Sequence, residues 1–184
     1  QMITKKLNTP LTSSVGRMFD AVAAIIGIRM KSSFEGQGAM ELEYAADGSG
    51  DEGVYPFDID DLRDLPTNGN YRPGLLIDWR PMVSAILKDL QSSADKGMIA
   101  RKFHNTLAEI IVVIARKSGE RRVVLTGGCF QNKLLLETAV RRLSAEQFQV
   151  YWHQRVPPND GGISLGQLAA TMRLKMAVPG AVLA

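Results

Sequence analysis

Val123-Val124-Leu125-Thr126-Gly127-Gly128-Cys129-Phe130-Gln131-Asn132 is the stretch that decides the fold. A short apolar run, Arg122 to Leu125, reads as a strand and runs directly into paired glycines. Helical spacing resumes from Lys133 to Leu143, so strand, tight turn and helix follow within about a dozen residues. Upstream, Ile99, Phe103, Leu107, Ile110, Ile111 and Ile114 recur at helical spacing from about Ala94 to Lys117, and Gly119 supplies the exit. Downstream, Gln149 to Trp152 reads as a second strand and Ser164 to Met176 as a closing helix. Alternation of this kind is the signature of an α/β unit.

The N-terminal half reads differently. Ser13 or Ser14 can cap a helix whose apolar face is Phe19, Val22, Ala23, Ile25 and Ile26, with Gly27 suited to a left-handed end. A second helix spans about Gln37 to Ala46, with Met40, Leu42 and Tyr44 as packing positions. The run Asp47-Gly48-Ser49-Gly50-Asp51-Glu52-Gly53 breaks the periodicity and reads as loop. Tyr55 to Ile59 and Leu75 to Trp79 read as hairpin strands joined by a long loop that holds Pro66 and Asn68-Gly69. Pro81 then opens a helix with Val83, Ile86, Leu87 and Leu90 on its face. The expected architecture is a mixed sheet with helices packed on it, over residues 1–176, followed by a short tail at 177–184.

Composition excludes several classes. Apolar residues make up 45% of the 184-residue chain and charged residues 22%, which is ordinary for a globular core. The net charge of +3 is spread over separated basic pairs, among them Arg116-Lys117, Arg121-Arg122 and Arg141-Arg142, so a nucleic-acid surface is not expected. One cysteine, Cys129, builds neither a disulfide framework nor a cysteine zinc site. The longest apolar run, Ile110 to Ala115, is too short to span a bilayer. The chain opens at Gln1 without a leader pattern, and the expectation is a cytoplasmic segment of a longer polypeptide.

Three segments could carry chemistry. In the glycine turn, Gly127 and Gly128 let backbone N–H groups approach a phosphate, with Asn132 on the same edge to meet a ribose or base; the other reading is a tight turn without a ligand. In Val156-Pro157-Pro158-Asn159-Asp160-Gly161-Gly162-Ile163-Ser164-Leu165-Gly166-Gln167, Asp160 either holds a hard metal or caps the last helix. In Thr12-Ser13-Ser14-Val15-Gly16-Arg17-Met18-Phe19-Asp20, Asp20 is a lone acid early in its helix, and Glu35-Gly36-Gln37-Gly38 forms a second turn. His104 beside Phe103 reads as a packing or hydrogen-bonding histidine. His153, the other histidine, is too far along the chain to pair with it on one helix. A helix N-terminus beside Cys129 would lower its pKa, but no histidine nearby in sequence supports a catalytic thiol.

Taken in order, Thr12 to Ala24, Glu35 to Glu43, Phe103 to Ala108, Thr126 to Asn132 and Val156 to Gln167 resemble the last part of HypF-type carbamoyltransferases. The paired blocks GGCFQN and VPPNDGGISLGQ carry the resemblance, which spans about Leu7 to Ala170. It implies an actin-like ATPase lobe (ASKHA, RNase H-like) of the Kae1-like domain. By the resemblance Asp20, Gly36, Gly127, Gly128 and Asn132 line a nucleotide site, and Asp160 is a ligand to a divalent metal. No residue of the chain is implied to be catalytic.

The family's activity is to turn carbamoyl phosphate and ATP into carbamoyl adenylate. The carbamoyl group then passes to the C-terminal cysteine of a HypE-type partner during nickel–iron hydrogenase maturation. Cys129 stands where the family carries a valine-like residue, a neutral exchange. The family's metal-binding histidine pair and its acylphosphatase-like, zinc-binding and YrdC-like domains have no counterpart here. The resemblance therefore implies one lobe of a two-lobed site, inactive alone. The tRNA-modifying Kae1 (TsaD) enzymes are the alternative, disfavoured by Gln131-Asn132 and the PPNDGG block; a non-catalytic nucleotide- or partner-binding module is the other.

Overall fold

A computed structural model of the chain describes residues 12–61 and 74–177, with residues 1, 2, 4, 5, 7 and 9. The expected loop holding Pro66 and Asn68-Gly69, and the tail from 178 onward, lie outside the described residues. The chain divides into two compact units, Gln1–Ile110 and Ile111–Ala184.

In the first unit, α1 (Val15–Ile25) is capped by Ser14, whose Oγ accepts from the Arg17 N–H at 3.4 Å, and the left-handed Gly27 (φ +69°) ends it. Phe19, Val22, Ala23 and Ile26 are buried, whereas Ile25 turns outward. Helix α2 (Gln37–Ala46) buries Gly38, Leu42 and Ala46, spaced by four. Met40 and Tyr44 were expected to pack but are exposed. The helix meets its neighbours through small residues, so the stripe follows Gly38 and Ala46 and not the larger side chains. Helix α3 (Arg80–Gln91) begins with Pro81 as expected, but it buries Met82 and Ile86 while Leu87 is exposed. Strands β1 (Asp58–Asp61) and β2 (Leu75–Asp78) pair antiparallel, with Ile59 opposite Ile77.

Helix α4 (Lys96–Ser118) carries the polar run His104-Asn105-Thr106 in a buried position. Each of these side chains has a structural task. His104 is fully buried, its Nδ1 lies 2.7 Å from the Ala100 carbonyl, and its ring meets Phe19 and Phe103 edge-on. Burial depresses its pKa to about 4, so the ring is neutral. Asn105 Nδ2 donates to the carbonyls of Asp51 and Gly53 at 3.0 and 3.1 Å. Thr106 Oγ1 accepts from the Tyr55 N–H at 2.8 Å. These bonds fasten the aperiodic 51–55 segment to α4, which explains why Tyr55 begins no strand: its backbone is already committed. Tyr55 Oη and Lys102 Nζ then both donate to Asp89 Oδ2 at 2.8 Å, tying α3 to the same point.

A glycine sets how closely α4 approaches α2. A Cβ at Gly97 would lie 2.6 Å from the Ala45 carbonyl oxygen, which is backbone and cannot swing aside. Gly97→Ala is therefore expected to cost about 1–3 kcal/mol despite alanine's better helix propensity, read as a lower midpoint in chemical unfolding.

In the second unit β3 (Arg122–Leu125) and β4 (Gln149–Trp152) pair in parallel, with Leu125 opposite Trp152. Helix α5 (Lys133–Ala145) crosses between them, and its Leu135, Ala139 and Leu143 are buried. Within β3 only Leu125 is buried, and Val124 and its partner Tyr151 are exposed. Alternating residues of a strand point to opposite faces, and the face bearing Val124 and Tyr151 is open. Arg116 and Glu146 form a two-pronged ion pair between the end of α4 and the end of α5. Helix α6 (Ile163–Ala177) follows.

Among the described residues the strands form two separate pairs, one antiparallel and one parallel, where a single mixed sheet was expected. The α/β character itself holds.

Candidate nucleotide site

The carboxyl ends of β3 and β4 lie side by side, because the last residues of the two strands are register partners. Ligands of α/β sheets collect at such ends. The chain leaving β3 turns at once through Gly127, at φ +110°, a conformation that side chains other than glycine rarely adopt. The Gly127 N–H donates to the Pro158 carbonyl at 2.8 Å. That one bond couples the two glycine-containing blocks, which are about 30 residues apart in sequence. A Cβ on Gly128 would lie 3.9 Å from the Cβ of Asn159, so the turn and the second loop are in contact range. Among the site candidates, Gly127, Gly128, Asn132 and Asp160 thus belong to one loop pair.

Two asparagines build this pair. Asn132 is the N-cap of α5: it is buried, and its Oδ1 accepts from the Leu135 N–H at 2.8 Å. Its first task is to fix where the turn ends and the helix begins. Asn159 does the same in the second loop, its Oδ1 accepting from the Gly161 N–H at 3.1 Å ahead of a short 3-10 turn, Asp160–Gly162. Gly162 is required here as well, since a Cβ would lie 2.8 Å from the Pro157 carbonyl oxygen. Asn159 caps this short turn, and Asp160, its first residue, keeps an exposed carboxylate.

Cys129 corrects an expectation. Burial pushes its thiol pKa up, so the lowering anticipated from the neighbouring helix start does not occur. A groove of about 320 Å³ beside β3 is lined mainly by apolar side chains, among them Ile111, Ile114, Val124 and Phe130, with Ser118 and Arg122 as its polar members.

The remaining candidates, Asp20 and Gly36, belong to the first unit and come together there. Asp20 is about two-fifths exposed and lies 3.6 Å from the Arg17 guanidinium. A Cβ on Gly38 would sit 3.0 Å from Asp20 Oδ1, so the acid rests against the first turn of α2. Gly36, at φ +79°, is the residue that opens α2. The loop before it is braced by side chains: Gln37 Oε1 accepts from the Ser33 N–H at 2.7 Å, and Gln37 Nε2 donates to Glu41 at 3.0 Å. Arg29 pairs with the same carboxylate and holds it below the usual range.

A hard divalent cation such as magnesium or calcium takes six or more oxygen ligands. No group of three or more His, Cys, Asp or Glu side chains that could hold one occurs among the described residues. Around Asp160 the described residues do not complete a metal site.

The family model for the second subdomain of the carbamoyltransferase Kae1-like domain matches residues 1–167. The chain belongs to this family. It is 40% identical over 166 residues to carbamoyltransferase HypF of Synechocystis, covering 90% of this chain and 20% of that protein. Similarity to carbamoyltransferase HypF of Rhodobacter capsulatus is 39% over 181 residues, covering 95% of this chain and 22% of that protein. Against a crystal structure of full-length HypF in its phosphate- and nucleotide-bound form, the TM-score is 0.78 at 38% identity, covering 95% of this chain and 22% of that one. HypF of T. kodakarensis gives a TM-score of 0.72 at 26% identity, again over 95% of this chain and 22% of that one. The chain thus spans about a fifth of the length of these HypF relatives. The α/β fold is that of the Kae1-like domain in HypF proteins. No helix among the described residues is long and apolar enough to cross a membrane.

Proposed function

We propose that this chain acts as the C-terminal lobe of a HypF carbamoyltransferase and forms one wall of the site that holds carbamoyl adenylate. In this reading carbamoyl phosphate and ATP supply the adenylate, and the acceptor is the C-terminal cysteine of a HypE-type hydrogenase maturation protein in the cytoplasm. The observation that carries the reading is the bond from the Gly127 N–H to the Pro158 carbonyl. It joins the two blocks most characteristic of the family at the end of a parallel strand pair, where α/β folds bind phosphates.

The chemistry asks little of the lobe itself. The partner's thiolate attacks the carbamoyl carbon, the bond to the phosphate oxygen breaks, and AMP leaves with the charge that develops on it. Gly127 and Gly128 bring backbone close to that phosphate without side-chain bulk. Asn132 ends the turn, and Asp20 with Gly36 is assigned to the nucleotide sugar. Asp160 is assigned as one ligand of a divalent metal whose other ligands come from elsewhere in the polypeptide; when bound, such an ion would polarise the phosphate. The lobe supplies no nucleophile, and burial pushes the Cys129 thiol pKa up, away from a reactive thiolate.

The test is an acceptor comparison with the full-length polypeptide, given carbamoyl phosphate and ATP in one arm and threonylcarbamoyl adenylate in the other. Carbamoylation of a HypE-type C-terminal peptide and not of tRNA is expected. Modification of tRNA in preference to the peptide would overturn the reading in favour of a Kae1-type transferase.

A further inference from the structure

The first residue after each parallel strand is polar, and the two side chains touch. Thr126 follows β3, His153 follows β4, and Thr126 Oγ1 lies 2.9 Å from His153 Nε2. Both residues are exposed. The pair sits where the two site loops begin: Gly127, next to Thr126, is bonded to Pro158, and Asp160 lies two residues further on. Neither side chain is needed to close the strand pair, whose backbone register is complete at Leu125 and Trp152.

We infer that the His153–Thr126 pair is a phosphate-contacting element of this site. The inference rests on the nucleotide reading above and adds a residue pair to it. The proton count supports the assignment. If the threonine hydroxyl donates to Nε2, the neutral imidazole carries its proton on Nδ1 and offers that N–H. If Nε2–H donates instead, the threonine hydroxyl is released to donate. In either tautomer one donor remains beyond the shared bond, at the strand ends where an anion would lie. His153 is the contacting residue in the first case, with Thr126 as the positioning residue that fixes its ring. In the second the roles exchange.

The ligand class is a nucleoside phosphate, read through its phosphate and not its base or sugar. That gives a signature a purely structural role would not produce. In the full-length polypeptide, titrated calorimetrically with ADP and with adenosine, His153→Ala is expected to weaken ADP binding by about 10- to 100-fold. Adenosine binding should stay within about twofold. Thr126→Val should weaken ADP to a similar degree, and Thr126→Ser, which keeps the hydroxyl, should restore it. Normal ADP binding by His153→Ala, or equal losses for ADP and adenosine, would overturn the inference. Asn132→Asp is run beside these variants. If it loses ADP binding while His153→Ala does not, only the His153 assignment fails. If it also binds ADP normally, the nucleotide wall is misplaced and the inference falls with it.

Discussion

Asp160→Asn in the full-length polypeptide is expected to lower carbamoyl transfer on the order of 100-fold or more, with little change in stability. The local structure separates the two effects. Asn159 caps the short turn at the head of α6, and the Asp160 side chain is exposed. Removing its charge costs the fold no more than the roughly 0.3–1 kcal/mol that an exposed acid contributes near a helix start. The loss of activity comes from its assigned place as a metal ligand, because several kcal/mol of charge stabilisation are at stake in metal-assisted transfer. Rates of carbamoylation of the peptide acceptor, with a thermal melt of each protein, check both halves. A variant of unchanged activity would remove Asp160 from the site. A variant that unfolds several degrees earlier would make its role structural after all.

The second large effect lies in the core. His104 is fully buried and titrates near pH 4 in the folded chain, against about 6.5 when unfolded. Between those values the unfolded chain binds a proton that the folded chain refuses. Stability is therefore lost as pH falls from 6.5 towards 4, by roughly 3 kcal/mol in all, and the loss levels off below that. Ordinary carboxylates titrate at the acid end of the same range, so the comparison must be with a variant. His104→Gln keeps a hydrogen-bonding side chain but cannot titrate. Urea unfolding of both proteins from pH 7 to 4 should show a flatter profile for the variant. Parallel profiles would mean that the folded chain accommodates the charged ring.

The helices were legible because their apolar spacing and their ends are local properties. Ser14, Gly27, Pro81 and Gly119 mark boundaries through backbone chemistry alone, and the expected α2 and β4 agree with the structure residue for residue. The faces were less legible. Met40 and Tyr44 are apolar but exposed, since the close approach of helices at Gly38 and Gly97 selects small residues for the contact; Leu87 of α3 is exposed as well. The polar run His104-Asn105-Thr106 was legible only as a motif. Its partners, the backbone of Asp51, Gly53 and Tyr55, lie about 50 residues upstream in a segment without periodicity.

For the site, the glycines of both loops stood out in the sequence, whereas the bond between the loops did not. The Gly127–Pro158 pairing needs the parallel register of β3 and β4, which no local pattern encodes. The same holds for Thr126 and His153, whose only sequence signal is that each directly follows a strand. Asn132 was read from its edge position as a ligand contact, and its capping bond to Leu135 adds a structural task to that reading.

The most direct test of the account uses this double role of Asn132. Aspartate caps a helix as well as asparagine does, so Asn132→Asp preserves the bond to Leu135 while placing a negative charge at the turn. Calorimetric titration of ATP with magnesium into the full-length polypeptide and into this variant should show affinity falling at least tenfold, with the melting temperature unchanged within about 2 °C. Equal affinity in the two proteins would contradict the central claim that the turn from Gly127 to Asn132 is a wall of the nucleotide site.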